Sequence, residues 1–238
     1  MNLSYQPSDK EFSVRRDGAG TAVDQVYGHL RERILSFDLP PDATLHRSEL
    51  AHDYGVSQTP VREALQRLEQ DGLVQIFPQS KTIVSRIDLR DLRETHFFRV
   101  ALETEAVRRL AQMDNKEVVK RAQTILNLQK ALVGQDDQMD LFTDLDRSFH
   151  LALFEAVAME RIHVMMSRRL GHLARCQRLE LPMQGKMEWI IGGHQAILDG
   201  IAAGDPNAAA DAMRAHISGT IQRISALKDE FPDYFIGK

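Results

Sequence analysis

Apolar residues recur at helical spacing over 22–36, where Val23, Val26, Tyr27, Leu30 and Ile34 line one face of AVDQVYGHLRERILS. That periodicity predicts an amphipathic helix. The paired prolines in the next stretch, 37–43, cannot continue it, so that stretch reads as a loop. Ser48 is then read as the cap of a short helix ending near Tyr54, with Gly55 taking the positive φ of a tight turn. Ser57 or Thr59 caps a longer helix that carries Pro60 in its first turn and stops at Gly72. Its buried stripe is Val61, Ala64, Leu65 and Leu68. Short β-rich runs at 73–77 and 82–86 flank the polar turn 78–81 and predict a hairpin, or wing.

From Leu89 onward the spacing is helical throughout, with segments near 89–112, 116–133, 137–158, 160–180, 187–203 and 206–230. Breaks fall at Asp114-Asn115, Gly134, Leu181-Pro182 and Gly204-Asp205-Pro206. Helices of this length joined by short turns pack as an antiparallel bundle. The pattern therefore predicts a mainly α protein. A winged helix-turn-helix occupies 21–86, a brief linker follows near 86–88, and an all-α bundle runs over 89–231. A polar N-terminal arm, 1–20, is expected to be flexible.

Composition changes this picture little, and charge complicates it. No apolar run approaches the roughly 18–20 residues that span a bilayer, so no membrane partner is expected. The N-terminus lacks a basic-then-apolar signal pattern. Cys176 is the sole cysteine and cannot form an internal disulfide, so the expected location is a reducing cytoplasm. Net charge is −4, and residues 1–86 hold ten Lys/Arg against twelve Asp/Glu. A strongly basic domain, the usual footprint of a nucleic-acid binder, is absent, so phosphate attraction has to come from local clusters of cations.

A helix-turn-helix lays its second helix in the major groove, with the N-terminal side chains nearest the bases. Here that helix exposes Gln58, Thr59, Arg62 and Arg67. Arginine bonds bidentately to guanine and glutamine to adenine, so these residue types suit base reading. The competing reading is a solvated surface helix in some other small α domain, because this spacing is easily mimicked.

The segment GVSQTPVREALQRLEQDGLV resembles the recognition segment of the GntR family of bacterial transcription regulators, and the likeness runs from about Val26 through Val84. The resemblance implies a dimeric winged helix-turn-helix on a palindromic double-stranded DNA operator. It further implies DNA contacts at Ser57, Thr59 and Arg62, with Ser48 and Arg67 as weaker candidates. Gln58 stands where the family usually has arginine. Ser80-Lys81 replaces the usual Arg-Gly of the wing, where Lys81 can still reach a phosphate, and Asp42 replaces a common loop glycine.

In the bundle, Asp146 and His150 of DLDRSFHLALFEA lie at i and i+4 and project from one helix face. His194 and His216 sit in the last two helices, each flanked by apolar residues at helical spacing. An i, i+4 pair plus single ligands from two more helices can converge on one metal ion in a bundle core. Spacing alone leaves the alternative open that these are ordinary core histidines. The remaining histidines read as structural or surface, with His172 a possible substitute ligand.

DRSFHLALFEA and HQAILDGIAAGDPNAAADAMRAHI resemble the signature segments of the FCD effector domain, found in the FadR-like branch of the GntR family, and RVALETEAVRRLA resembles its first helix. This resemblance covers most of 89–230 and implies a metal site on Asp146, His150, His194 and His216. Met159-Glu160 departs from a common Gly-Asn at a helix end. Ligand type alone does not choose among Zn, Ni, Co and Mn, and Zn is the expected metal. A small carboxylate effector could occupy an open coordination position while an arginine neutralises its remaining charge, and Arg99, Arg175 and Arg178 are candidates. Cys176 is read as a buried small residue.

The expected function is a transcription regulator, in the manner of a repressor, whose operator affinity changes when a small organic acid binds at the metal. The alternatives are a metal-free regulator responding to an acyl ligand and a metal-dependent hydrolase. Against the hydrolase, the helical bundle has no adjacent His-Asp pair and only a single Glu-x-x-His, Glu160–His163; the pair His52-Asp53 lies in the helix-turn-helix segment.

Overall fold

The computed structural model describes residues 14, 20–78, 81–114 and 116–237. Contacts divide them into two compact units. The first holds the described residues up to Arg90 together with Gly171–Arg178 and the stretch from Lys228 on; the second holds Asp91–Leu170 and Leu179–Leu227.

In the first unit, α1 (Ala22–Leu35) starts at Thr21, whose hydroxyl accepts from the Asp24 N–H while the Asp24 carboxylate accepts from the Thr21 N–H. Helix α2 (Arg47–Asp53) follows strand β1 (Thr44–Leu45), for which the sequence pattern predicts no element. Ser48 is not its cap: His46 occupies that position, and Ser48 lies in the first turn. Gly55 turns the chain with φ 62° into α3 (Gln58–Gln70), with Ser57 at the N-cap position, and Gly72 leaves it with φ 77°. Val61, Ala64, Leu65 and Leu68 are all buried, packed with Val26, Leu30 and Ile34 of α1. Strands β2 (Val74–Ile76) and β3 (Thr82–Val84) pair antiparallel, and β1 adds to the far edge of β3. Phe77 N–H donates to Lys81 O to close the hairpin end; Ser80 and Gln79 lie outside the described residues.

The arm expected over 1–20 also lies outside the described residues, apart from Val14 and Gly20. Val14 donates its N–H to Tyr54 O and packs against the core of the first unit.

Two expectations about organisation change. The stretch read as a linker is strand β4 (Ile87–Asp88), which pairs in parallel with β5 (Phe235–Ile236) and runs straight into α4 (Leu89–Ala111). The single helix expected over 160–180 is two, α7 (Glu160–Arg169) and α8 (Gly171–Glu180). Leu73 fits so closely over Gly171 that a Cβ there would lie 2.6 Å from Leu73 Cδ2. Fully buried Arg175 donates from Nη1 to Ser85 O at 2.6 Å. His172 Nδ1 accepts from the Asp88 N–H at 3.2 Å and lies 2.8 Å from Arg175 Nη2. Those bonds place the start of α8 in the first unit, where helical periodicity alone had assigned it to the bundle.

The second unit packs α4 with α5 (Lys116–Ala131), α6 (Met139–Ala156), α7, α9 (Lys186–Ala202) and α10 (Pro206–Glu230). Its core includes Val107, Leu126, Phe149, Leu153, Ile197, Ile201 and Met213. None of the described helices is long and apolar enough to cross a membrane. Helix α6 ends where the sequence departs from its family resemblance: Ala158 takes a left-handed backbone with φ 56°, and the Met159 N–H returns to Phe154 O at 2.9 Å. That conformation costs an L-residue about 1–2 kcal/mol, partly offset by the greater entropy glycine loses on folding. Ala158→Gly is therefore expected to stabilise the protein by about 0.5–1 kcal/mol and raise Tm by about 1–4 °C, read by thermal melting.

Candidate metal centre and nucleic-acid interface

Helix α3 presents its polar face to solvent because its apolar stripe is consumed by α1 and the wing. Gln58, Thr59 and Arg62 are exposed over its first five residues. Ser57 sits at the N-cap position without making a capping bond, so its hydroxyl is not committed to the helix. Ser48 and Lys81 are exposed as well, Lys81 with its ammonium 5.9 Å from the Phe77 ring. Arg67 differs from the rest. Its guanidinium pairs with Asp24 at 2.7 Å, which ties α3 to the start of α1. Two hydrogen bonds from Thr21, followed by Arg67, hold the Asp24 carboxyl down to about 2. Asp42 adopts φ 66°, a left-handed conformation that aspartate tolerates in place of glycine, and pairs with Arg86 at 2.7 Å.

In the second unit the four expected ligands come together. One donor atom from each of Asp146, His150, His194 and His216 lies within 4.8 Å of the other three. His150 Nε2 and His216 Nε2 face one another at 3.3 Å, and His194 Nε2 is 3.4 Å from Asp146 Oδ1. Tetrahedral donors about 2.0–2.2 Å from a shared ion lie about 3.3–3.6 Å apart, as these two pairs do, while the spread of up to 4.8 Å across the group would have to draw in on binding. The three histidines are buried, and His194 Nε2 has no hydrogen-bond partner. Burial first, then the neighbouring imidazoles, pushes His194 and His216 well below the ordinary histidine value, so both rings offer neutral lone pairs. Burial raises the Asp146 carboxyl, partly offset by His150 and Arg99.

Residues that sequence reasoning missed hold these ligands in place. Gln129, fully buried on α5, accepts from His194 Nδ1–H at 2.8 Å, which fixes the tautomer that leaves Nε2 as donor. Glu103 Oε2 lies 2.6 Å from His150 Nδ1, and its other oxygen accepts from Arg99 Nε at 2.5 Å. Burial alone would raise Glu103, yet Arg99 and His150 together hold it well below the carboxylate range. Phe149 stacks on His194 with ring centroids 3.8 Å apart, and Trp189 stacks on His216 at 5.8 Å. The only prior sign of these roles was Glu103 standing one turn after Arg99; nothing in the spacing singled out Gln129.

The arginine candidates separate. Arg99 is buried beside the cluster through Glu103. Arg175 and Arg178, like Cys176, belong to the first unit, and Arg175 is spent on Ser85 and His172. His172 is accordingly no substitute ligand.

Residues 15–84 match the family described as bacterial regulatory proteins, gntR family, and residues 94–219 match the FCD domain. The chain is 32% identical over 213 residues to an uncharacterized HTH-type transcriptional regulator in an unstable DNA locus of Streptomyces ambofaciens, covering 88% of each chain. It is 26% identical to the HTH-type transcriptional repressor RspR of Escherichia coli, covering 89% of this chain and 92% of that one. The solved structure of E. coli McbR/YncC shares the fold, with a TM-score of 0.71 at 22% identity over 89% of this chain and 99% of the other.

Metal analysis of the purified protein is expected to give about one equivalent per chain, and His150→Ala and His194→Ala to lose it. Gln129→Leu is expected to weaken the metal about 10–100-fold in competition with a chelating dye, because His194 then loses its orienting acceptor. Equal metal content in all four proteins would remove the site.

Proposed function

The chain belongs to the GntR family of bacterial regulatory proteins and carries an FCD domain; it is a DNA-binding transcription regulator and not an enzyme, and on that premise we propose that a small carboxylate bound at a metal centre controls its operator affinity. The observation that carries this reading is the buried Asp146/His150/His194/His216 cluster, whose four donor atoms lie within 4.8 Å of one another. Four protein ligands leave a zinc, nickel, cobalt or manganese ion with open positions, and zinc is the first choice for an Asp/His₃ set. Arg99, buried one turn from Glu103, supports anion binding beside it.

The protein acts in the bacterial cytoplasm as a homodimer on a palindromic operator, with one α3 in each of two successive major grooves. Ser57, Gln58, Thr59 and Arg62 contact bases or adjacent phosphates, while Ser48 and Lys81 contact the backbone. Repression is the preferred sign, since the relative RspR is named a repressor. Effector binding shifts operator affinity by a coupling of about 1–3 kcal/mol.

Two measurements test this. On an operator recovered by selection from genomic fragments, Arg62→Ala is expected to weaken binding by about 1–3 kcal/mol and to relax base preference at one position. Lys81→Ala is expected to weaken all sequences alike and flatten the salt dependence by about one charge. Unchanged gel-shift affinity for Arg62→Ala would overturn the assignment of α3. Titration of operator complexes with small carboxylates is expected to release or tighten DNA about 5–150-fold with metal present, and to do nothing after chelation. A response that survives chelation would replace the metal-based reading with a metal-free one.

A further inference from the structure

Most cations of the first unit are engaged with other parts of it. Arg67 pairs with Asp24 and Arg86 with Asp42, while Arg175 donates to Ser85 O and Lys228 to Gly237 O. Arg31, Arg33, Arg90 and Arg178 have partners as well. Three are left: Arg47, Arg62 and Lys81 are exposed, and none is ion-paired or hydrogen-bonded through its side chain among the described residues. Acids outnumber bases over 1–86, so these three are not the residue of a cation surplus.

Their places in the fold are related. Arg62 is on the exposed face of α3, Arg47 is the first residue of α2, and Lys81 accepts from Phe77 where the hairpin closes. In a helix-turn-helix the second helix enters the groove while the first crosses the backbone. The sheet sets two of the three side by side. β1 pairs with β3 through Thr44 opposite Ile83 and Leu45 opposite Thr82. The next step of that register brings His46 level with Lys81, and Arg47 follows at once. Opposed residues of an antiparallel pair stand about 4.5–5.5 Å apart, so Arg47 and Lys81 are neighbours at one end of the sheet. The Phe77 ring, 5.9 Å from the Lys81 ammonium, stands on the side away from β1. Two like charges this close repel, and an anion beside them turns the repulsion into attraction.

We infer that Arg47 is a further DNA contact, and that with Lys81 it grips neighbouring phosphates of one strand beside the groove read by α3. The placement beside the groove rests on the reading of α3 as the recognition helix. The family resemblance marks Ser48 in this turn, but a serine hydroxyl reaches a phosphate only where the backbones nearly touch. The longer, charged side chain stands one residue earlier. Arg47 and Lys81 thus fix position along the duplex without reading sequence, and Arg62 is left as the charged reader of bases.

The test uses the full-length protein with two duplexes, the selected operator and a random-sequence duplex of equal length. Arg47→Ala removes two charges from a dimer. It is expected to weaken both duplexes alike and to cut the loss of affinity between 50 and 200 mM salt by about tenfold. Arg47→Lys is expected to keep the salt dependence of the unmodified protein, because lysine supplies the same charge. Neutral methylphosphonates placed one at a time in the operator are expected to reveal a position in each half-site that weakens the unmodified protein but not Arg47→Ala. Equal melting temperatures check that these surface variants fold. A salt dependence unchanged in Arg47→Ala overturns the inference, as does a loss confined to the operator. An Arg62→Ala protein that keeps its base preference overturns the α3 reading instead, and the phosphate contact then stands or falls on the random duplex alone.

Discussion

Three imidazoles and a carboxylate sit in a helical core that offers them hardly any water, and the second unit is built around satisfying them. A buried polar atom without a partner costs about 1–3 kcal/mol, and here several converge. Gln129 is buried for His194, Glu103 for His150 and Arg99 for Glu103, so each polar group draws the next one inward. Aromatic faces close the remaining sides, Phe149 over His194 and Trp189 over His216. Trp189 is accommodated because Gly219 beneath it has no side chain: a Cβ there would lie 2.1 Å from the indole. An apolar core of the same volume would need none of these devices, which argues that the cluster is kept for what it binds.

The DNA-reading unit solves a different electrostatic problem. Its acids outnumber its bases, yet several acids are committed to holding the fold. Asp24 pairs with Arg67, Asp42 with Arg86, and Asp71 accepts from Tyr27 at 2.5 Å. Arg47, Arg62 and Lys81 are left exposed. A unit of this kind attracts DNA weakly at long range and relies on short-range fit, so its affinity should depend less on salt than that of a basic domain.

Elements whose residues face one environment were legible from sequence. The stripes of α1 and α3 were read position by position, because each packs on a single side. The convergence of Asp146, His150, His194 and His216 was legible because helical spacing and the FCD resemblance marked the same residues. Long-range partners were not. Nothing in RLGHLARCQRLE says that Arg175 will bond Ser85, ninety residues earlier, so α7 and α8 read as one helix. Gln129 was invisible for a related reason: glutamine on an amphipathic helix is ordinarily solvated, and only the position of His194 makes it a core residue. The pairing of β4 with β5 joins residue 87 to residue 235, with the whole bundle between them, and each strand is two residues long. No local pattern can announce such a pairing.

The two outer partners of the histidines are chemically unequal, and the inequality bears on what the site can hold. Glu103 brings a charge to His150, but Arg99 cancels it at once. Gln129 brings none to His194. A glutamate at 129 would accept from His194 as well, but it would bring a second carboxylate into the core and need a buried cation of its own, as Glu103 needs Arg99. The amide fixes the ring without that cost. It orients the imidazole and adds no charge to the cluster, so the acid beside His150 is the one whose charge the core must answer, and Arg99 answers it.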